Sequence, residues 1–290
     1  SGNQISGSAR EATVQGMKVA PDGSLVVSVI KTGDLVVTTG DPDSRVAERY
    51  ESNMSSFAII KINPFTGETI WTRTHDLSFD PLTPGANDVS LTVLRSYVRD
   101  SMSIDATGGI TFSYVMVGAY TGMETEFAGH TLPTASPCTD HNGNSQSRRK
   151  VGVIRLTTDG GMGWHVGLEP LNGTSCTNFH NDNLGQSGGH SYTQFSRAVV
   201  TSHPDGSASV VAPFHSNISI GGVVVEPRAS QTVGMAFARI SSNGQVTWAD
   251  SVSSTIEGVD AIGTTSGSSQ YASDFASLVS YDNGDLGAVL

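Results

Sequence analysis

The chain holds two cysteines, and each is followed closely by a histidine: Cys138-Thr-Asp-His141 and Cys176-Thr-Asn-Phe-His180. Two chemistries suit them. In an oxidising compartment they pair as one disulfide, Cys138 to Cys176, pinning a loop. The bridge would span 38 positions. It would contribute about 3–4 kcal/mol by restricting the unfolded chain. Alternatively, two thiolates and two imidazoles at short spacing build a tetrahedral zinc site. Thiolate ligation of zinc is less usual outside the cell, so the disulfide is the expected reading and zinc its rival. Oxygen-rich stretches nearby raise calcium as a second metal. Asp140-His141-Asn142-Gly-Asn144 places side-chain oxygens at alternating positions, but Ser145 stands where a calcium loop needs Gly, and no Glu follows in place. Asn181-Asp182-Asn183 is a further such triplet. Both also suit turns whose side chains cap their own backbone. The metal candidates are therefore Asp140, His141, Asn142, Asn144, His180 and Asp182, with no cofactor firmly implied.

Hydrolytic chemistry finds weaker footing. Gly185-Gln-Ser187-Gly-Gly189 spells a nucleophile elbow, yet no strand pattern precedes it and no helix pattern follows. The eight histidines are scattered, mostly through loop-like stretches. Glu124 and Glu126 are a carboxylate pair whose spacing alone does not make a glycosidase. No catalytic residue is assigned.

Composition explains why such residues would sit on loops over a rigid β scaffold. Of 290 residues only 15% are charged, and 33 are Gly. Long Glu/Lys-rich amphipathic stretches are absent, as expected of strands joined by tight turns. The net charge of −11 and a single short basic run, Arg148-Arg149-Lys150, argue against a nucleic-acid surface. No apolar run is long enough to span a bilayer, so membrane insertion is not expected. Three N-glycosylation sequons begin at Asn53, Asn172 and Asn217. With the low Lys content and the cysteine pair, they favour an extracellular or cell-surface protein.

The scaffold itself is read from repetition. Phe57-Ala-Ile-Ile-Lys-Ile62 runs into Asn-Pro-Phe-Thr-Gly67 and returns to Trp71. Val151-Gly-Val-Ile-Arg-Leu156 runs into Thr-Thr-Asp-Gly160 and returns to Trp164. Met235-Ala-Phe-Ala-Arg-Ile240 runs into Ser-Ser-Asn-Gly244 and returns to Trp248. These are the only three tryptophans, each four positions after its Gly, and each is expected in the core. A second hairpin precedes each: Met17 to Ser24, Met102 to Gly109 and Val200 to Ser207, turning at Asp22-Gly23, Asp105 to Gly108 and Asp205-Gly206. A fourth copy, turning at Asn283-Gly284, closes the chain. Each unit is thus two hairpins, four strands, and must stack on a neighbour to bury both faces. Glycine-flanked pieces, Phe127 to Leu132 and Ile220 to Val225, read as the turn or short strand joining the second and third strands.

Strand, Asp/Asn-Gly, strand, then Gly-x-x-x-Trp resembles the bacterial-type β-propeller repeat family of large secreted and cell-surface proteins. That resemblance implies an all-β propeller of four-stranded antiparallel blades, an extracellular setting and no catalytic residues. Thr157-Thr-Asp159-Gly-Gly161-Met-Gly-Trp164 is also similar to the Asp-box of sialidases and related propellers, a structural hairpin, although no arginine cluster accompanies it. One propeller region over 1–290 is expected, with blades at about 12–78, 98–170, 194–253 and a partial one at 272–290. Three and a half blades fall short of a closed propeller. The chain is therefore expected to continue, or to be completed by other chains.

The leading expectation is a non-enzymatic structural or adhesive module of a surface protein or filament. The alternatives are a glycan-acting hydrolase or lyase and a calcium- or sugar-binding propeller. Expected partners are other protein chains, further blades of a longer chain, or glycans.

Overall fold

A computed structural model describes residues 12–32, 55–77, 102–118, 125–132, 138–139, 145–146, 148–170, 198–214, 217–226, 234–253, 278–280 and 286–288. Among these residues the chain is all-β, built of antiparallel sheets.

The first four strands, β1 (Ala12–Val19), β2 (Leu25–Thr32), β3 (Ser55–Ile62) and β4 (Thr69–Leu77), pair in sequence order as a meander. Next come β5 (Met102–Ile104) and β6 (Ile110–Gly118), a short hairpin β7 (Thr125–Phe127) and β8 (His130–Leu132), and a two-residue ladder of β9 (Cys138–Thr139) with β10 (Ser145–Gln146). β11 (Arg148–Leu156) and β12 (Met162–Pro170) follow, and β5-β6-β11-β12 forms the second meander. The third is made by β13 (Val199–Ser202), β14 (Ala208–Phe214), β17 (Gly234–Ile240) and β18 (Val246–Ser253). A hairpin of β15 (Ile218–Ile220) and β16 (Val223–Val225) lies within its chain segment. β19 (Leu278–Ser280) and β20 (Leu286–Ala288) pair as a last ladder.

The glycine-flanked pieces depart from the four-strand expectation. They are complete hairpins, and each leaves its own unit to extend the preceding sheet. β7 pairs with β4 through His75↔Phe127 to Leu77↔Thr125. β15 pairs with β12 through Leu168↔Ile220 to Pro170↔Ile218. The first and second sheets therefore have six strands, four from one unit and two from the next. The reversals of these hairpins, Ala128-Gly129 and Gly221-Gly222, have positive φ. Each hairpin pairs the last three positions of the outer strand and moves that part of the sheet edge to a three-residue strand, and short edge strands offer little backbone for unwanted pairing.

The turns follow their sequence signals. Gly23, Gly67, Gly108, Gly160, Gly206 and Gly244 all have positive φ, which only glycine adopts without strain. Just before each tryptophan turn the register slips, between Lys61 and Ile62, Arg155 and Leu156, and Arg239 and Ile240. The bulge sets each cation directly opposite the tryptophan of the returning strand: Lys61↔Trp71, Arg155↔Trp164 and Arg239↔Trp248.

Hydrophobic burial occurs between sheets. One core joins Val26, Ile59 and Trp71 of the first sheet to Met102, Phe112 and Leu156 of the second, with Phe127 and Leu132 from the clasping hairpin. Another joins Val153, Trp164 and Val166 of the second to Val200, Val210 and Ile240 of the third, with Ile218 and Ile220 from the second hairpin. The sheets succeed each other in one direction. β1 lies against β5, β5 against β13, and β13 against β19, so first strands sit beside first strands.

Candidate functional site: the junctions between sheets

Each junction is built on a tryptophan and a glycine turn. Trp71 is buried, and its indole Nε1 donates to the carbonyl of Thr158 at 3.1 Å, across to the β11–β12 turn. Gly160 of that turn sits so close that an added Cβ would lie 2.9 Å from the Trp71 ring. Arg73, two residues on, stacks 5.5 Å from the Trp71 ring centre and donates to the Gly160 carbonyl at 2.8 Å and the Asp159 carbonyl at 3.1 Å. A cation, a ring and three backbone carbonyls thus hold one sheet to the next. The turn between β17 and β18 docks on Trp164 in the same way, with Gly244 leaving only 2.7 Å for a Cβ against it. There, Val166 occupies the place of Arg73, and the buried Trp164 Nε1 has no hydrogen-bond partner among the described residues.

The Thr157-Thr-Asp-Gly segment, singled out for its Asp-box character, is this docking turn. Thr157 donates through its hydroxyl to Asp159, and this bond holds the Asp159 carboxyl below its ordinary range. Ser241 and Asn243 make the same pair in the next copy. The residues tie up the turn and present no free acid.

The cations on the third strands are also committed. Lys61 meets Asp22 at 2.8 Å, Arg155 meets Asp105 at 2.5 Å, and Arg239 meets Asp205 at 3.8 Å while donating to the Ser207 hydroxyl. Sequence reading missed this link between the hairpins, and it also misaligned Asp105. The turn amide of Gly108 bonds the Asp105 carbonyl, as Gly23 bonds Ala20 and Gly206 bonds His203. Asp105 therefore matches Ala20 and His203, two positions before the Asp22 and Asp205 sites. From there it reaches Arg155 as a fully buried carboxylate. Burial alone would raise its pKa. Hydrogen bonds from Thr107 and Arg155 and from the Gly109 amide outweigh that and hold it below 3.8.

His203 fills the equivalent position in the third sheet. It is buried, with Nε2 2.8 Å from the Ser209 hydroxyl and Nδ1 unpartnered among the described residues. Burial, then the nearby Arg239 charge, lowers its pKa from 6.5. The folded state therefore binds fewer protons than the unfolded one, and stability falls as pH drops below about 6.5. Denaturant midpoints at pH 7.5 and 5.5 should show a larger loss for the native chain than for His203→Asn. Equal losses would remove His203 from the account.

Tyr114 and His165 form a further polar contact inside a sheet. The buried phenol lies 2.6 Å from His165 Nε2, with the rings stacked 5.8 Å apart. Burial, then the charge of Glu169, raises the tyrosine pKa, so it stays a neutral hydroxyl. Gly152, on the strand between them, makes room, because a Cβ there would collide with the phenol ring. Gly152→Ala is expected to cost about 1–3 kcal/mol by overpacking, read as a lower melting temperature. An unchanged melt would mean that the ring can move aside.

The sequence-nominated site residues fall as follows. Trp71 and Trp164 are buried, whereas Trp248, expected in the core, is 52% exposed. The physical reason is that no described residue supplies the docking turn that covers the other two. Asn217 stands at the mouth of the β15–β16 hairpin, its side-chain amide donating to Glu226 at 3.0 Å. Cys138 lies in β9, paired with Gln146. Cys176, Asn53, Asn172, Asp140, His141, Asn142, Asn144, His180 and Asp182 lie outside the described residues, and so do Glu124 and the Gly185 to Gly189 string. Disulfide, zinc and calcium candidates therefore remain sequence expectations. Among the described residues no cluster of three or more His, Cys, Asp or Glu side chains could hold a metal.

The fold and junctions define an all-β protein of stacked antiparallel sheets. Compared with known proteins, the sequence matches no family model and no curated relative.

Proposed function

We propose that these sheets are successive blades of a β-propeller that serves as a non-enzymatic structural or adhesive module of an extracellular or cell-surface protein. One observation carries the reading: first strands β1, β5, β13 and β19 lie side by side while the outer strands β4 and β12 are each tied to the following unit. Inner strands packed around an axis, with fixed handoffs at the periphery, are what a propeller requires.

The same observation favours a scaffold over an enzyme. The described acids and cations at the turns are spent in pairs that hold hairpins and sheets together. An enzyme would instead gather perturbed carboxylates or bases in a cleft. The three sequons and low lysine content support the extracellular setting.

The test is a panel of plant, bacterial and animal polysaccharides incubated with the full chain, with and without added calcium. New reducing ends report hydrolysis, and unsaturated uronate absorbance reports elimination. Neither is expected above the buffer blank. Calcium-independent turnover on any polymer would replace this reading with the glycan-acting one.

A further inference from the structure

We propose that Asn243 is a site of spontaneous covalent modification, where loss of the side-chain amide as ammonia reroutes the backbone of the turn that docks on Trp164. Asn-Gly pairs occur at Asn142, Asn172, Asn243 and Asn283, and Asn243-Gly244 is the one among the described residues. The Asn243 side chain is exposed at the tip of the β17–β18 turn, within reach of water. Glycine on its C-terminal side leaves the attacking nitrogen unhindered by a neighbouring Cβ. The Gly244 nitrogen gives up its proton to solvent and attacks Cγ of Asn243. A carbon–nitrogen bond forms, and Nδ2 leaves as ammonia, closing a five-membered imide. Water then opens the ring at either carbonyl. Breaking the new bond gives aspartate. Breaking the original peptide bond gives isoaspartate, whose main chain runs through Cβ and Cγ.

The docked turn gates this chemistry. The Gly244 amide donates to the Ser241 carbonyl at 2.9 Å, so the nitrogen that must attack is committed. The Asn243 side-chain carbonyl accepts from the Ser241 hydroxyl, and from the Gln245 amide at 3.4 Å. Gly244 is pressed onto Trp164, where an added Cβ would lie 2.7 Å from the tryptophan Cβ. Attack therefore requires the turn to open first, and its rate reads that opening. The two products differ in what they do to the junction. Asp159 occupies the matching position in the preceding copy, accepts from Thr157, and sits beside a Gly160 docked on Trp71. Aspartate at position 243 keeps that backbone and is tolerated. Isoaspartate inserts a carbon into the main chain between positions 243 and 244, inside the loop closed by the Gly244-to-Ser241 bond. The longer loop drives Gly244 against a tryptophan that leaves it no room. The proposal rests on this docked turn, and not on whether the sheets close into a propeller.

The experiment ages the full chain in mildly alkaline buffer beside Ser241→Ala, Asn243→Gln and a synthetic peptide of residues 240–247. Far-UV circular dichroism checks that each variant is folded. Peptide mapping with electron-transfer fragmentation distinguishes asparagine, aspartate and isoaspartate at position 243. The peptide should convert fastest. The native chain should convert at least about tenfold more slowly, because opening comes first, and Ser241→Ala should fall between them. The urea midpoint of the aged native chain should drop below that of aged Asn243→Gln, which retains the other Asn-Gly pairs but cyclises slowly through a six-membered ring. Freshly prepared Asn243→Asp should unfold like the unaged native chain. Absence of isoaspartate at position 243 after many half-lives of the peptide would overturn the proposal, as would a native rate equal to the peptide's. Equal midpoints for aged native chain and aged Asn243→Gln, with isoaspartate present, would also overturn it, by showing that the junction tolerates the rerouted backbone.

Discussion

Trp164→Ala is expected to lower the unfolding free energy by about 3–5 kcal/mol, and Trp248→Ala by less than about 1 kcal/mol. The two residues share a motif and a strand position, four residues after a turn glycine. What separates them is the next sheet. Trp164 is pressed between Val153, Val166 and the Gly244 turn, so truncation opens a cavity at the centre of a junction. Trp248 has no such cover among the described residues. Urea unfolding of the two variants beside the native chain reads the difference as a shift in midpoint. Equal shifts would mean that the tryptophan stabilises its own hairpin and that the junction matters little.

Asp105→Ala comes next in size, at about 3–5 kcal/mol. Its carboxylate is fully buried, and removing it leaves the Arg155 guanidinium, 13% exposed, without its counter-charge. The Thr107 and Gly109 amides also lose an acceptor. Asp22→Ala removes a comparable contact, 2.8 Å from Lys61, but the Asp22 side chain is half exposed. Lys61 itself is only 3% exposed, but water can take the place of the half-exposed carboxylate, so the loss is expected at about 1–2 kcal/mol, smaller than for Asp105→Ala. Joint replacement by Asp105→Leu and Arg155→Met should recover much of the loss, because burying two apolar chains avoids the desolvation cost of the ion pair. A thermal melt series of the four proteins decides it. If Asp22→Ala were as damaging as Asp105→Ala, burial of the carboxylate would not be the controlling variable.

Much of the local structure was legible in the residues. Alternating apolar runs flanked by Asn/Asp-Gly gave the hairpins, and the need for positive φ explains why Gly23, Gly67, Gly160, Gly206 and Gly244 stand where they do. The partner of a hairpin was not legible. Phe127 to Leu132 and Ile220 to Val225 carry apolar residues and glycines that mark a reversal, but nothing local says that the preceding sheet receives it. Pairing across units is a long-range choice fixed by edge exposure and packing. The Asp–cation pairs were missed for a related reason. Lys61, Arg155 and Arg239 read as outliers in apolar strands, while their partners lay some 30–50 positions upstream. In the second unit the carboxylate had also moved two positions along its turn. The equivalence of the three tryptophans hid the difference in Trp248, since exposure depends on a neighbour and not on the motif.

The central claim is that the sheets succeed one another about an axis lined by their first strands. Electron microscopy of the purified full chain, classified without imposed symmetry, tests it most directly. The account predicts particles curved about a central channel, whether a closed ring or an open arc, with wedge-shaped densities of equal size side by side. A straight rod, or a flat two-layer particle with no channel, would contradict it.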